Sequence, residues 1–242
     1  VYVQSKQEVK SINNLINEII LSDKIDELKI SILACYIPLL SNQNIANKLY
    51  NYISKNILFN DLISMQIKEP LEEKKLSNSI KSFGKISNIV SKKVRKQYEE
   101  YPYPRWRYTY SNSPYNFLNI INNQIKPNKI DTVHKFNSPN VLIAGCGTGN
   151  HIALARRYLN ANILGVDLSL TSLAYAKRKT EEFGFKNVEF LHADILKLKS
   201  LDRKFDVIES LGTLHHMKDP LAGLKVLLNL LEPHGFLKLG LY

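Results

Sequence analysis

Cysteine is nearly absent: Cys35 and Cys146 are the only two in 242 residues, too far apart for a CxxC pair or a metal-ligand spacing. A disulfide framework is therefore excluded as the source of stability. His134, His151, His192 and His234 are scattered without metal-site spacing, so no metal is expected. Long apolar runs are missing too. The nearest, Ser31 to Leu40, is short and interrupted by Pro38, well below the roughly 20 residues a membrane helix needs. The first ten residues are polar and no signal-type apolar region follows. These absences point to a reducing, cytoplasmic setting without membrane insertion. Glycine is sparse as well, yet three of the 10 glycines fall within five residues, at Gly145, Gly147 and Gly149.

Acidic residues run short in one place. The net charge is +11, but Val1 to Glu73 is slightly acidic. Lys74 to Arg107 sets ten basic residues against only Glu99 and Glu100. The excess is thus a local field, although abundant Lys, Asn and Ile across the chain also reflect composition bias.

The chain reads as three regions. Residues 1–85 are helical: apolar residues recur at helical spacing over Val9 to Ile20, Ile25 to Leu40 and Asn44 to Phe59, with Ser22-Asp23 and Ser41-Asn42 as breaks. Residues 86–139 hold a basic helix from Ile86 to Glu100 and then Tyr101-Pro102-Tyr103-Pro104-Arg105-Trp106, whose alternate prolines impose extended geometry. An Asn-, Pro- and Lys-rich linker over Asn112 to Asn140 closes this region. Residues 140–242 alternate strands with helices. Strands are expected at Val141–Ala144, Asn162–Val166, Val188–His192, Phe205–Glu209 and Phe236–Leu241, with helices at Asn150–Leu159, Leu170–Phe183 and Pro220–Leu231. Such βαβ alternation implies a parallel sheet covered on both faces, in strand order 3-2-1-4-5.

The first strand runs into Gly145-Cys146-Gly147-Thr148-Gly149 and a helix, a turn in which a ligand can approach bare backbone. NAD, FAD and S-adenosylmethionine (SAM) proteins all use such a turn. Two details favour SAM: Asn150 stands where a dinucleotide fingerprint wants Gly or Ala, and a second acidic residue follows the third strand. Asp167 ends the second strand and Asp194 lies just past the third, so both converge with the glycine turn at the carboxyl edge of the sheet. There Asp167, followed by Leu168, suits ribose hydroxyls, and Asp194 with the Ile195 N–H suits an adenine edge. For either aspartate alone a turn or helix cap is the ordinary role.

The chain resembles class I SAM-dependent methyltransferases, in particular a bacterial subgroup. The resemblance rests on Gln97-Tyr98-Glu99-Glu100-Tyr101-Pro102-Tyr103-Pro104-Arg105-Trp106, on Asp167 through Arg178, on Glu209-Ser210-Leu211-Gly212-Thr213-Leu214-His215-His216 and on Glu69-Pro70-Leu71-Glu72-Glu73. It is similar to rickettsial-type outer-membrane-protein lysine methyltransferases. The resemblance implies a Rossmann-like α/β domain, SAM as cofactor, and contacts to it from Gly145, Cys146, Gly147, Thr148, Gly149, Asp167, Leu168, Asp194, Ile195 and Glu209. Two positions depart from the pattern. Ile143 stands where many members carry an acid that helps place the SAM amino group, and Tyr101 where the subgroup often has Asn.

Catalytic candidates are Glu209, His215, His216 and Tyr103, with first-turn packing as the competing role for the histidines. The aromatic-proline segment reads either as a rigid linker or as a lid, in which Tyr98, Tyr103 and Trp106 offer aromatic faces and Arg105 reaches the SAM carboxylate. The expected activity is methyl transfer to protein lysine side chains. RNA methylation is the first alternative, and a fragment dependent on a partner chain or a further segment to complete its sheet is the second.

Overall fold

The computed structural model describes residues 4–109, 113–130 and 136–241; His134 and Tyr242 lie outside the described residues. The chain divides into two compact units, Val1–Glu72 and Glu73–Tyr242. No described helix is long and apolar enough to cross a membrane.

The first unit is helical. Helix α1, Lys6–Leu21, opens with a capping box in which the Ser5 hydroxyl accepts the Glu8 N–H while the Glu8 carboxylate accepts the Ser5 N–H. Helix α2, Glu27–Ala34, is capped by Asp26, α3, Gln43–Tyr50, by Asn42, and α4, Ile57–Ile63, by Asn56. A π-helical turn, Ser64–Lys68, leads into α5, Glu69–Ser77, inside which the boundary between the units falls. Ile12, Ile30, Leu33, Leu39, Ile45, Leu49, Phe59 and Ile63 form the core of this unit.

The long helices expected over Ile25 to Leu40 and Asn44 to Phe59 are both broken. The first stops at Ala34, ahead of Pro38. The second is interrupted because the Asn60 side chain bonds both the N–H and the carbonyl of Ser54, at 2.8 Å each, and offers the backbone a turn in place of helix.

The second unit is built on a six-stranded, wholly parallel sheet. Its strands are β1 (Lys81–Phe83), β2 (Asn140–Ala144), β3 (Asn162–Asp167), β4 (Val188–Ala193), β5 (Phe205–Leu211) and β6 (Leu231–Gly240), in order β1-β4-β3-β2-β5-β6. The five expected strands stand in the expected order. The sixth, β1, went unread because Lys81-Ser82-Phe83 offers a single apolar residue. It is recognisable only by its pairing with β4, where the Ser82 hydroxyl meets His192 Nδ1 at 3.0 Å.

Side chains of β2 alternate between two cores, as period-2 geometry requires. Val141 and Ile143 join the cluster containing Ile152, Leu173 and Phe117; Leu142 and Ala144 join the one containing Leu214, Leu227 and Leu230. The covering helices are α6 (Ile89–Glu100), α7 (Phe117–Gln124), α8 (Asn150–Ala155), α9 (Leu170–Glu182) and α10 (Pro220–Leu230).

Helix α7 corrects the reading of residues 112–140 as a linker. Phe117, Ile120, Ile121 and Phe136 are buried core residues, and the Phe117 ring lies 4.6 Å from Phe136, 5.3 Å from Tyr158 and 5.4 Å from Phe236. The polar Asn and Lys residues of this stretch masked four inward-facing apolar ones. Phe117→Ala should therefore cost about 3–5 kcal/mol, the range for a buried Phe emptied into a cavity. Urea unfolding checks this, and a loss below about 1 kcal/mol, the scale of a surface change, would restore the linker reading.

Candidate functional site

Because every strand of the sheet is parallel, their carboxyl ends share one edge, and a crevice of about 260 Å3 opens there. Its floor comes from four successive strand ends. Gly145, Cys146, Gly147 and Thr148 follow β2, Asp167 and Leu168 close β3, Asp194 and Ile195 follow β4, and Gly212, Thr213 and His216 follow β5.

Sterics make the glycines necessary. Gly145 has φ +79°, and a Cβ there would lie 2.2 Å from Thr213 Oγ1. Gly149, φ +86°, has no room because Ala176 presses against it, with 2.8 Å left for a Cβ. At Gly147, φ +50°, the nearest atom to a Cβ would be 3.9 Å away. The backbone there faces open crevice, and the positive φ alone calls for glycine.

Asp167 ties two strand ends together. One carboxylate oxygen accepts the Gly147 N–H at 2.8 Å and the other accepts the Ser169 N–H at 2.8 Å. These bonds use part of its roughly four acceptor positions, and the residue lines the crevice. Burial raises its carboxyl above the ordinary 3.8, partly offset by these N–H donors. Asp194 is buried and accepts the Leu196 N–H at 2.9 Å. Burial also pushes the Cys146 thiol well up, so it stays protonated.

A cap covers the crevice. The carboxyl end of β1 lies on the crevice side of the sheet, and from it the chain passes through α6 and the aromatic-proline segment onto the glycine turn. Ser91, Val94 and Tyr98, spaced along one face of α6, line the crevice together with Tyr103 and Pro104. Lys92, Lys93 and Lys96 occupy its exposed face. The segment is pinned by the Trp106 Nε1–H donating to the Thr148 carbonyl at 2.9 Å and the Thr148 hydroxyl donating to the Pro104 carbonyl at 2.5 Å.

Most expected residues meet at this crevice: Gly145, Cys146, Gly147, Thr148, Asp167, Leu168, Asp194, Ile195, Tyr103 and His216 all line it. Gly149 instead is the N-cap of α8 and does not line the crevice. Three expectations are corrected. Arg105 does not reach into the crevice, because its guanidinium donates to Glu73 at 2.7 Å. Glu209 is buried below the floor, where its carboxylate accepts from Arg157 at 2.7 Å and Tyr158 at 2.6 Å. His215 packs against His216, ring centroids 4.1 Å apart and planes tilted by 49°, without lining the crevice itself. Trp106 belongs to the pinned base of the cap and packs on Phe183.

Ser91, Val94, Asn150, Thr213 and Met217 line the crevice unforeseen. The first two were legible as the face of α6 opposite its lysines; Asn150 and Thr213 lie in stretches already singled out but were not read as lining residues, and Met217 carries no sequence signal of its own. Among the described residues no His, Cys, Asp and Glu cluster suited to a metal ion occurs.

The comparisons agree with this geometry. Residues 135–239 match the family model described as a methyltransferase domain. An uncharacterized protein of Synechococcus sp. is 29% identical over 174 residues, covering 66% of this chain and 39% of the relative. An uncharacterized protein of Rickettsia prowazekii is 30% identical over 152 residues, covering 61% of this chain and 58% of the relative. The chain thus spans less than two thirds of the length of these relatives. Among solved structures, a SAM-dependent methyltransferase from Clostridium acetobutylicum is 29% identical over 40% of each chain, with a TM-score of 0.37. Residues 135–239 are a class I, SAM-dependent methyltransferase domain, with the Rossmann-like α/β fold of that class. The cofactor of such a domain is S-adenosylmethionine.

The crevice suits that cofactor on its own evidence. Two carboxylates and no lysine or arginine line it among the described residues, which fits a sulfonium cation and hydroxyl donors better than a pyrophosphate.

One titration follows from the site. Burial holds His151, on the crevice wall, below its ordinary 6.5; Glu209 opposes this and Lys238 and Arg157 add to it. Between that lowered value and 6.5 the unfolded chain binds more protons than the folded one, so this contribution to stability is lost as pH falls through the window. Asp167 acts in the opposite sense, its contribution being lost as pH rises from 3.8 through its raised value. Replacing His151→Gln should therefore flatten the decline of Tm from pH 6.5 downward. An unchanged slope in thermal melts across that range would show that His151 is not buried as described.

Proposed function

We propose that this chain transfers the methyl group of SAM to lysine side chains of protein substrates. The observation that carries the cofactor half is the meeting of the glycine turn, Asp167 and Asp194 in one crevice with no lysine or arginine among its described lining residues. Asp167 would hold the ribose through its remaining acceptor positions, Asp194 and the Ile195 N–H the adenine edge, and the bare backbone at Gly147 would admit the cofactor closely. SAM supplies a methyl group activated by its sulfonium, so the protein's task is alignment and exclusion of water.

The acceptor half rests on the two faces of α6. Inward, Ser91, Val94 and Tyr98 with Tyr103 form a neutral, largely apolar wall that suits the four-carbon stem of a lysine. Outward, Lys92, Lys93 and Lys96 make a positive surround. A lysine must lose its proton to attack, at a cost of about 4.6 kcal/mol at pH 7 from a reference value near 10.4. Desolvation and neighbouring cations both lower that cost. The amine lone pair then forms the N–C bond as the S–C bond breaks, and the methylated ammonium gives up a proton. His216, which lines the crevice, would take it, since partial burial and His215 keep its imidazole below the ordinary 6.5 and so neutral at pH 7. The motif resemblance to rickettsial-type lysine methyltransferases supports the same acceptor.

RNA is the second reading, favoured by one observation. Tyr101 and Tyr103, 71% and 75% exposed, follow the lysine-rich helix, an arrangement in which bases could stack while lysines meet phosphates. Methyl transfer from tritiated SAM into a cell extract separates the two. Label should enter protein and be recovered as methyl-lysine after hydrolysis, and His216→Asn should reduce the rate by about 10²-fold, the low end for a general base. Label recovered in nuclease-sensitive material, with a steep loss at raised salt, would assign RNA as the acceptor.

A further inference from the structure

Three stretches that carry the family resemblance meet away from the crevice, at a single buried carboxylate. Glu73 ends the stretch beginning at Glu69, Arg105 lies in the aromatic-proline segment, and Arg178 ends the stretch beginning at Asp167. Glu73 is 4% exposed and Arg178 5%. One oxygen of Glu73 accepts from Arg178 Nε at 3.0 Å, and the other from Arg105 Nη2 at 2.7 Å. The Tyr175 ring centroid lies 4.9 Å from the Arg105 guanidinium and 5.0 Å from that of Arg178, and its hydroxyl donates to the Trp106 carbonyl at 2.5 Å. Lys179 adds a bond to the Arg107 carbonyl at 3.1 Å.

Four of these contacts grip residues 105–107, from Glu73 and Tyr175 to Arg105, from Tyr175 to Trp106 and from Lys179 to Arg107, while Arg178 braces Glu73 and Tyr175 behind them; Glu73, Arg105, Tyr175, Arg178 and Lys179 do not line the crevice. The same segment holds the glycine turn from the other side through Trp106 and Thr148, while the residues just before it, Tyr103 and Pro104, form crevice wall. A buried ionic cluster is weak as a source of stability, because desolvation offsets the attraction; its geometric consequence is to fix one arrangement of the groups it joins. Here the group fixed is the base of the cap.

We infer that Glu73, Arg105, Arg178 and Tyr175 form a clasp whose work is to position the Tyr103–Pro104 wall over the glycine turn, so that Arg105 is a positioning residue for cofactor retention. It acts without touching the cofactor. The inference rests on the crevice being the SAM site and deepens that reading, since it makes cofactor affinity depend on residues outside the crevice.

Arg105 is the residue to change, because its side chain is 45% exposed and its loss leaves Glu73 still paired with Arg178. The probe is S-adenosylhomocysteine, titrated calorimetrically into the 242-residue chain, with acrylamide quenching of Trp106, the single tryptophan, measured on the same samples without ligand. Arg105→Ala should weaken binding about tenfold through faster dissociation and make Trp106 more accessible to quencher, with the midpoint of thermal unfolding little changed. Arg105→Lys, which keeps the charge but not the planar fork, should recover part of both effects. Unchanged affinity in Arg105→Ala would overturn the clasp, as would an affinity loss matched by a general loss of fold with no partial rescue by lysine. Failure of the unaltered chain to bind the probe at all would instead overturn the SAM reading on which the clasp depends, so the two failures are told apart by the unaltered chain.

Discussion

Two hydrogen bonds to Asp167 hold the crevice together. The end of β3 and the turn after β2 are adjacent strand ends, and each carries backbone N–H groups that the sheet leaves unpaired. By accepting from Gly147 and Ser169, one carboxylate fixes the glycine turn against β3 and caps the approach to α9. The cost is visible in its titration, since burial raises the pKa of a group that must be ionised to serve as acceptor. Everything at the carboxyl edge is referenced to this joint: the open backbone at Gly147, the tight approach of Thr213 to Gly145, and the seat of Thr148, to which the cap is pinned.

The cap extends that arrangement over the crevice. It leaves the sheet at β1, crosses above the crevice as α6, and returns to the glycine turn through the aromatic-proline segment. The crevice therefore lies between a rigid floor and a covering element secured at both ends, by strand pairing at β1 and by the Trp106–Thr148 bond at the other. Methyl transfer needs few reactive groups but close alignment, and a crevice held between floor and cap supplies that alignment.

Much of this was legible in the residues. β2 and β3 are short apolar runs bounded by Gly and Asp, and the periodicity that marks them also sets which core each side chain joins. The floor followed from topology, because parallel strands must bring Gly147, Asp167 and Asp194 to one edge. What sequence could not supply was pairing between distant charges. Arg105 and Glu209 each read as crevice residues, yet both are committed to partners far along the chain, Glu73 in one case and Arg157 with Tyr158 in the other. A lone charged residue carries no mark of its partner. The same limit hid β1, whose three residues are a strand only because β4 lies beside them. It hid α7 as well, whose inward face is outnumbered by Asn and Lys.

The central claim is that the crevice built around Asp167 binds SAM. Calorimetric titration of SAM into the unaltered chain and into Asp167→Ala tests it most directly. The account predicts one-to-one binding that Asp167→Ala weakens by about 1.5–3 kcal/mol, the range for hydrogen bonds to a charged group, and no heat on titration of NAD. Equal SAM affinity in the two proteins, or preferential binding of NAD, would contradict it.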